Sequence, residues 1–396
     1  MRSNARLYFD HNASSPLRPA AAEAVARALS LPGNPSSIHA EGRAARAALE
    51  RAREQVARAV GGRAQDVIFT SGATESLNAL LRPAVTPTTG PARFERLLVL
   101  ATEHAAVLDG HGFASASVER IPVNGSGIID LSTFKARLAA LRGDGLFASA
   151  MVAVQAANNE TGVLQPLAEI AGRCDAVGAA LIVDAAQAVG RVPFDLAASG
   201  AAAIALSAHK FGGPKGVGAI VLNGDRLRFE RPLIAGGGQE GRRRAGTENL
   251  AGIAGMGAAI EEAAGEAPRL SERLSGWRDR VESSMRAAAP DLVIFGAGAE
   301  RLPNTSLVAV PGLSAETLLM AFDLAGVALS SGSACSSGKV ARSHVLDAMG
   351  VDPALAGGAV RISLGWSTTE EEVGRFESVF ANVIRSLCEK KNRRAA

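Results

Sequence analysis

Short apolar segments alternate with helix-like segments between residues 66 and 223, and this alternation constrains the fold more than any other feature of the chain. Seven segments have the length and composition of strands: "DVIFTSG", "RLLVLATEH", "SVERIPVN", "LFASAMVAVQ", "ALIVDAAQ", "AAIALSAHK" and "GAIVLNG". Several are continuously apolar, as strands are when helices cover both faces of a parallel sheet. The pattern therefore predicts a doubly wound α/β domain around a mostly parallel, seven-stranded sheet.

The pattern changes near residue 260. A long charged helical segment is followed by the strand-like "TSLVAVPG", by "VALSSGSAC" and by "AVRISLGW", which together indicate a smaller α+β domain. A chain of 396 residues is long enough for two domains. We predict a large domain over residues 16–258, and a small domain that combines residues 1–15 with residues 259–396.

Charge and aromatic content give no support for nucleic-acid binding. The formal net charge is +3, aromatic residues make up 4% of the chain, and the dense basic runs are "GRRRAGT" and "KKNRRAA". Such weak, local charge does not make the basic surface that nucleic acids require. The run Arg242–Arg244 is compatible with a solvated loop or with contact to an anionic ligand.

The cysteines and the apolar segments indicate the compartment. Cys174, Cys335 and Cys388 are far apart and form no C-x-x-C motif, so we expect no disulfide framework and no metal site. The start "MRSNARLYFDHNASSP" has no apolar signal region, and no segment approaches the ~18 apolar residues of a membrane span. We therefore expect a cytoplasmic protein without membrane contact.

Polar residues close several of the predicted strands, where α/β sheets bind their ligands. Thr74, in "IFTSGATES", stands where backbone N–H groups could hold a phosphate or simply form a helix cap. Asp184 ends "ALIVD", and a carboxylate buried there needs a cationic or protonated partner. His104 ends "LLVLATEH", where its ring could stack on a flat ligand.

One further strand ends at Ser207, His209 and Lys210, and glycines follow that allow a ligand to approach the backbone closely. A lysine for a Schiff base, an aspartate for a pyridinium nitrogen, and hydroxyl and N–H groups for a phosphate together describe one ligand. The sequence therefore predicts a site for pyridoxal 5′-phosphate.

Ten segments in the same order resemble the cysteine desulfurases of the class V aminotransferase group, which have the type I pyridoxal-phosphate fold. They are "YFDHNASSP", "GNPSSIHAEGRAAR", "TSGATES", "ATEHAAV", "NNETGVLQP", "VDAAQAVG", "SAHKFGGPKGVGA", "GGGQEGRRRAGTEN", "SSGSACSSG" and "VRISLGWSTTEEE". The form of "SSGSACSSG" is similar to the first of the family's two groups. Leu77 departs from the pattern, since many relatives have asparagine there.

The resemblance implies roles for individual residues. Lys210 would carry the cofactor as a Schiff base, and Cys335 would accept sulfur from the substrate. In the same way, the cofactor would be held by Ala73, Thr74, His104, Asn159, Asp184, Gln187, Ser207 and His209, by Lys210 itself, and by Thr247 reaching across a homodimer interface. Arg361, assisted by Asn159, would bind the substrate carboxylate, because an arginine fork suits a carboxylate better than an ammonium does.

The expected reaction removes sulfur from L-cysteine, giving L-alanine and a persulfide on Cys335. The loop "SSGSACSSGK" carries no residue suited to a core apart from this cysteine, which favours a reactive thiol that delivers sulfur. The acceptor would be a protein, such as an iron–sulfur scaffold or a component of thio-cofactor or tRNA biosynthesis. Transamination, selenocysteine cleavage and a catalytically inactive scaffold remain open alternatives on the same fold.

Overall fold

The computed structural model describes residues 6–89, 93–143, 149–331 and 342–395. The strands are β1 (Leu7–Tyr8), β2 (Val67–Thr70), β3 (Val85–Pro87), β4 (Arg96–Leu100), β5 (Val118–Ile121), β6 (Ala150–Gln155), β7 (Ala180–Asp184), β8 (Ala203–Ser207), β9 (Gly218–Leu222), β10 (Leu227–Phe229), β11 (Val293–Phe295), β12 (Thr305–Ala309), β13 (Val327–Ala328) and β14 (Val360–Ser363). The helices are α1 (Pro19–Leu29), α2 (Ala40–Ala59), α3 (Ala73–Leu80), α4 (Ala105–Leu108), α5 (Leu131–Gly143), α6 (Leu167–Asp175), α7 (Leu196–Ser199), α8 (Leu250–Ala288), α9 (Ala315–Leu324), α10 (His344–Ala348), α11 (Pro353–Ala356) and α12 (Glu370–Ala395).

The seven predicted strands form one sheet in the order β2-β9-β8-β7-β6-β4-β5. Strands β4 to β8 pair in parallel, whereas β9 pairs antiparallel with both β2 and β8. The prediction of a mostly parallel, seven-stranded sheet is confirmed. The six strands other than β9 share one direction, so their carboxyl ends lie along one edge of the sheet.

The pairing register fixes which residues meet at that edge. Gln155 at the end of β6 is opposite Asp184 at the end of β7. Strand β9 begins at the same edge with Gly218, where an added Cβ atom would lie 2.5 Å from the Cα atom of Gly72. Only a glycine therefore lets β9 start against the turn that follows β2.

Helices α1 and α2 pack on the 39-residue helix α8. In α2 the arginines lie mostly outward, while Ala45, Leu49, Ala52 and Val56 recur every three or four residues and are buried, which is the apolar stripe of an amphipathic helix. Helix α8 runs without interruption through the predicted domain boundary. The division into residues 16–258 and the remainder therefore stays a prediction.

A second apolar cluster lies around the three-stranded antiparallel sheet β11-β12-β14 and helices α9 and α12. It also takes Leu7 and Phe9 from the start of the chain, because β1 pairs in parallel with β13. Phe376 on α12 contacts the rings of Phe9, Phe322 and Phe380 at centroid distances of 5.0, 6.1 and 6.0 Å. Phe376 therefore joins the amino-terminal segment to both helices.

Replacing Phe376 with alanine should lower the free energy of unfolding by about 3–5 kcal/mol, because the ring is fully buried and its loss leaves a cavity. Urea denaturation followed by tryptophan fluorescence measures this directly, since Trp277 and Trp366 both pack against this cluster. Met320→Ala, at a side chain that is 67% exposed, is the control and should change stability by less than about 0.5 kcal/mol. Equal effects of the two substitutions would contradict this role of Phe376.

Candidate active site

A cavity of about 570 Å³ opens at the carboxyl edge of the large sheet. Ten of the twelve predicted site residues line it: Ala73, Thr74, His104, Asn159, Asp184, Gln187, Ser207, His209, Lys210 and Arg361. Thr247 is exposed and does not line this cavity. Cys335 lies outside the described residues.

Lys210 stands in a 3₁₀ turn, Ala208–Lys210, directly after β8. Its Nζ atom donates hydrogen bonds to the backbone oxygens of Asn12, at 2.7 Å, and Ala13, at 3.1 Å. These bonds hold the amine at the cavity wall, where its charge also acts on Asp184. An amine placed in this way can exchange hydrogen bonds for a covalent bond to a carbonyl group.

Asp184 carries a carboxylate into the cavity at the end of β7. One oxygen accepts a hydrogen bond from the backbone N–H of Ala186 at 2.9 Å. Burial raises the pKa of Asp184, and the N–H of Ala186 together with the charges of His104 and Lys210 only partly offset that rise. A cationic ligand group beside this carboxylate would restore its charge, because opposite charges favour the ionised form.

His104 is the N-cap of α4, and its Nδ1 atom accepts a hydrogen bond from the backbone N–H of Ala106 at 3.1 Å. In the neutral ring the proton is therefore on Nε2. The preceding residue, Glu103, is fully buried, and burial followed by the charge of Asp184 raises its pKa well above the usual range. The carboxyl groups of Asp184 and Glu160 are both close enough for the charge of this imidazole to act on them.

The turn that begins α3 presents hydrogen-bond donors to the cavity. Helix α3 begins at Ala73 after the N-cap residue Gly72, and the first N–H groups of a helix have no partner within it. Ser207 and His209 lie beside this turn in the cavity wall. Burial, together with the positive charge of Lys210, lowers the pKa of His209 to about 4. Together these groups can bind an anion.

Arg361 lies on β14, and its side chain is 4% exposed. Nη1 donates to the backbone oxygen of Asn159 at 2.9 Å, and Nη2 donates to Oδ1 of Asp10 at 2.7 Å. The Nε atom is buried, and no described residue accepts a hydrogen bond from it. A buried, unpartnered N–H beside the cavity suits a carboxylate ligand.

Sequence reasoning missed the residues that hold this arrangement in place. The buried guanidinium of Arg191 donates to the backbone oxygens of Gln187, His11 and Lys210 and to Oε1 of Gln187. The Nε2 atom of Gln187 donates to the backbone oxygen of Asn12. Burial, with the nearby charge of Arg361, lowers the pKa of Arg191 to about 9. Asn12 lies within the quoted segment "YFDHNASSP", but a single arginine after "AQAVG" gives no signal in the sequence.

The remaining sequence expectations concern apolar and thiol groups. Leu77 lines the cavity from α3 and is buried in an apolar cluster, so the departure from asparagine leaves the donors of the α3 turn in place. Cys174 is buried in the core, and burial raises the pKa of its thiol to about 12. Cys388 lies on α12, partly exposed.

The described ranges contain no group of three or more metal-ligating side chains. None of their helices has the length and apolar character needed to cross a membrane.

Known proteins resemble this chain over nearly its whole length. The profile of the family described as Aminotransferase class-V matches residues 7–376. The chain belongs to the class-V aminotransferase family. It is 40% identical over 388 residues to a cysteine desulfurase of Cereibacter sphaeroides, which covers 96% of both chains.

Solved structures extend the comparison to the fold. A NifS-like protein from Rickettsia africae superposes on this chain with a TM-score of 0.84 at 30% identity. The superposition covers 96% of this chain and 99% of the NifS-like protein. A protein named SspA, solved in complex with cysteine, gives a TM-score of 0.72 at 27% identity, covering 90% and 98% of the two chains. The expected type I fold and the resemblance to cysteine desulfurases are confirmed, and the protein is a pyridoxal-phosphate-dependent enzyme.

The residues present fit this cofactor. The α3 turn suits the phosphate, Asp184 suits the pyridine nitrogen, and the Lys210 amine suits the carbonyl carbon, and all three line the same cavity. Arg361 lines the same cavity, and an amino-acid carboxylate would accept the hydrogen bond that its unpartnered Nε atom can donate. The fit of the cavity to the cofactor and an amino acid rests on the chemistry of these groups and on the unpartnered Nε atom of Arg361.

The buried imidazole of His11 makes stability depend on pH. Its ring lies against Gly365, where an added Cβ atom would overlap it, and Nδ1 is 2.8 Å from Oγ of Ser15. Burial, with the charge of Arg191, lowers its pKa from 6.5 to about 3. Below pH 6.5 the unfolded state therefore binds more protons than the folded state, and stability is lost as the pH falls toward 3.

We expect His11→Asn to remove this contribution. Between pH 6.5 and pH 5 the variant should lose roughly 1.5 kcal/mol less unfolding free energy than the original protein loses. Urea denaturation of both proteins without cofactor, at several pH values in this window, measures the difference. Parallel pH profiles would show that His11 does not titrate as described.

Proposed function

We propose that this protein removes sulfur from L-cysteine, with pyridoxal phosphate bound covalently to Lys210 and Cys335 as the sulfur acceptor. The observation that carries the proposal is the convergence of the Lys210 amine, the Asp184 carboxylate and the unpartnered Arg361 Nε atom in one cavity. The similarity to proteins named cysteine desulfurase and the cysteine complex of a structural relative support the choice of substrate.

Arg361 binds the substrate carboxylate with its Nε atom and orients the amino acid. The backbone oxygen of Asn159 and the carboxylate of Asp10 fix the plane of the guanidinium. Asp184 would hold the pyridine nitrogen of the cofactor in its protonated form. When bound, the cofactor supplies an electron sink for the electron pair that remains on the substrate α-carbon.

Lys210 holds the cofactor before the substrate arrives and afterwards acts as the general base that removes the α-proton. His104, with its proton on Nε2, is placed to hold or move a proton at the substrate. The thiolate of Cys335 then attacks the substrate sulfur: a sulfur–sulfur bond forms and the carbon–sulfur bond breaks. Protonation of the remaining carbon skeleton gives alanine.

Further features of the function concern assembly and location. We propose that Thr247 completes the phosphate site of a second copy, since it is exposed and outside its own cavity, so that the active unit is a homodimer. The persulfide sulfur passes to a protein acceptor, such as an iron–sulfur scaffold. The sequence has three cysteines that are far apart and form no disulfide framework, which favours a reducing compartment, the cytoplasm.

The attachment site is tested by borohydride reduction of the cofactor-loaded protein followed by peptide mass spectrometry. We expect the pyridoxyl group on Lys210, because its amine is held at the cavity wall. Lys210→Ala should lose the covalent group and should release no alanine from cysteine. Lys215→Ala, from the same segment, should keep the group on Lys210. A reduced cofactor on Lys215 would overturn the assignment.

Arg361→Lys should raise the KM for cysteine by about tenfold, because an ammonium cannot reproduce the guanidinium donors and a lost charge-assisted hydrogen bond is worth about 1.5–3 kcal/mol. Arg301→Lys is the matched control. Arg301 is similarly buried and pairs with Glu282, outside the cavity lining, so its substitution should leave the KM unchanged. An unaltered KM in Arg361→Lys would remove Arg361 from substrate binding.

A further inference from the structure

The basic run "GRRRAGT" contains an arginine that pairs with a carboxylate in the first turn of α3. Nε of Arg244 donates to Oε1 of Glu75 at 2.9 Å, and Nη2 donates to Oε2 at 3.3 Å. The two side chains are 25% and 11% exposed. This fork-to-carboxylate geometry is the strong form of an ion pair.

Glu75 stands in the first turn of α3 and lines the cavity. Its Oε2 atom also accepts the backbone N–H of Ser71 at 2.8 Å. Burial raises the pKa of Glu75, but the hydrogen bonds from Arg244 and Ser71 outweigh burial, so the pKa is lowered and the group is ionised. A full negative charge is therefore fixed within one helical turn of Ala73 and Thr74.

The other end of the same segment is fixed to β2. Both carboxylate oxygens of Glu240 accept from the guanidinium of Arg53, at 2.7 and 2.8 Å, and Oε2 also accepts the backbone N–H of Phe69 at 2.9 Å. Residues 239–247, which we term the arginine segment, are thereby attached on both sides of the turn that joins β2 to α3. Arg242 in this segment is exposed.

This arrangement sets an electrostatic condition on phosphate binding. A phosphate at the N-terminus of α3 would meet the Glu75 carboxylate, and two anions a few ångströms apart in a partly buried site repel strongly. The guanidinium of Arg244 cancels the carboxylate charge. Glu75 in turn occupies the Ser71 N–H and leaves the N–H groups of Ala73 and Thr74 for the ligand.

We propose that Arg244 is a positioning residue for the cofactor phosphate, which acts by neutralising Glu75 and bracing the β2–α3 turn. The inference rests on the proposed function, because it takes the phosphate of pyridoxal phosphate as the anion. This role of Arg244 is distinct from solvation of the basic run, and the residue acts through Glu75 because it does not itself line the cavity.

The test compares pyridoxal phosphate with pyridoxal, which lacks the phosphate, in equilibrium binding to the full chain stripped of cofactor. Both ligands can bond to Lys210, so their difference isolates the phosphate. Arg244→Met should weaken pyridoxal phosphate binding by about tenfold or more, because the unpaired Glu75 charge then opposes the phosphate. Binding of pyridoxal should change by less than about twofold, since no charge is then opposed.

Removing the repelling charge should restore binding. The double variant Arg244→Met/Glu75→Gln should recover most of the lost affinity for pyridoxal phosphate, and Arg244→Lys should fall between Arg244→Met and the original protein. Arg242→Met, from the exposed part of the same run, is the matched control and should bind both ligands normally. Thermal unfolding of each stripped protein checks that the variants are folded.

Two outcomes would overturn the proposal: equal loss of affinity for both ligands in Arg244→Met, or no recovery in the double variant. Either would show that Arg244 supports the fold without acting on the phosphate. If the original protein binds neither ligand covalently, the proposed function fails instead. The same titrations therefore distinguish the two failures.

Discussion

Parallel pairing of the central strands is the constraint on which the rest of the structure depends. Because six strands of the large sheet share one direction, the residues that follow each of them meet at one edge. Asp184, Lys210 and the α3 turn are separated by many residues in the chain, yet they line one cavity. The antiparallel strand β9 completes the sheet without displacing this edge, since Gly218 fits against the turn after β2.

A cavity that collects charged groups must also balance them, and this protein does so with arginines. Asp10 pairs with Arg361 and Glu75 pairs with Arg244, and outside the cavity lining Glu240 pairs with Arg53. Arg191 is different, because its described hydrogen-bond partners are neutral oxygens of the backbone and of Gln187. It spans the turn after β8, the turn after β7 and the amino-terminal segment, and so holds Lys210 and Gln187 in register.

The sequence predicted the parts of the molecule that local patterns determine. Buried strands appear in the sequence as apolar runs. The polar residues that end these strands, including His104, Asp184 and Lys210, were found because the sequence alone shows their position relative to a strand. Helix α8 could not be bounded in this way. Its alanine- and glycine-rich first half, from Leu250, packs its apolar face on α1 and α2. The sequence does not show where this part of the helix begins.

Pairs formed between distant segments were beyond the same reasoning. Arg244 and Glu75 are 169 residues apart, and Arg361 and Asp10 are 351 apart. Each member resembles a solvated surface charge until the fold brings the two together. The basic run was for this reason compatible with a solvated loop, although Arg243 and Arg244 are both partly buried and hydrogen-bonded.

The central claim is that the sulfur of the substrate cysteine is transferred to the thiol of Cys335. Mass spectrometry after a single turnover tests this claim most directly. The cofactor-loaded protein is mixed with one equivalent of L-cysteine without reductant, digested, and compared with Cys335→Ser, which should keep the cofactor but gain no sulfur. The account predicts one added sulfur atom on the peptide that contains Cys335. Sulfur found on Cys174 or Cys388 instead, or desulfuration by Cys335→Ser at the original rate, would contradict it.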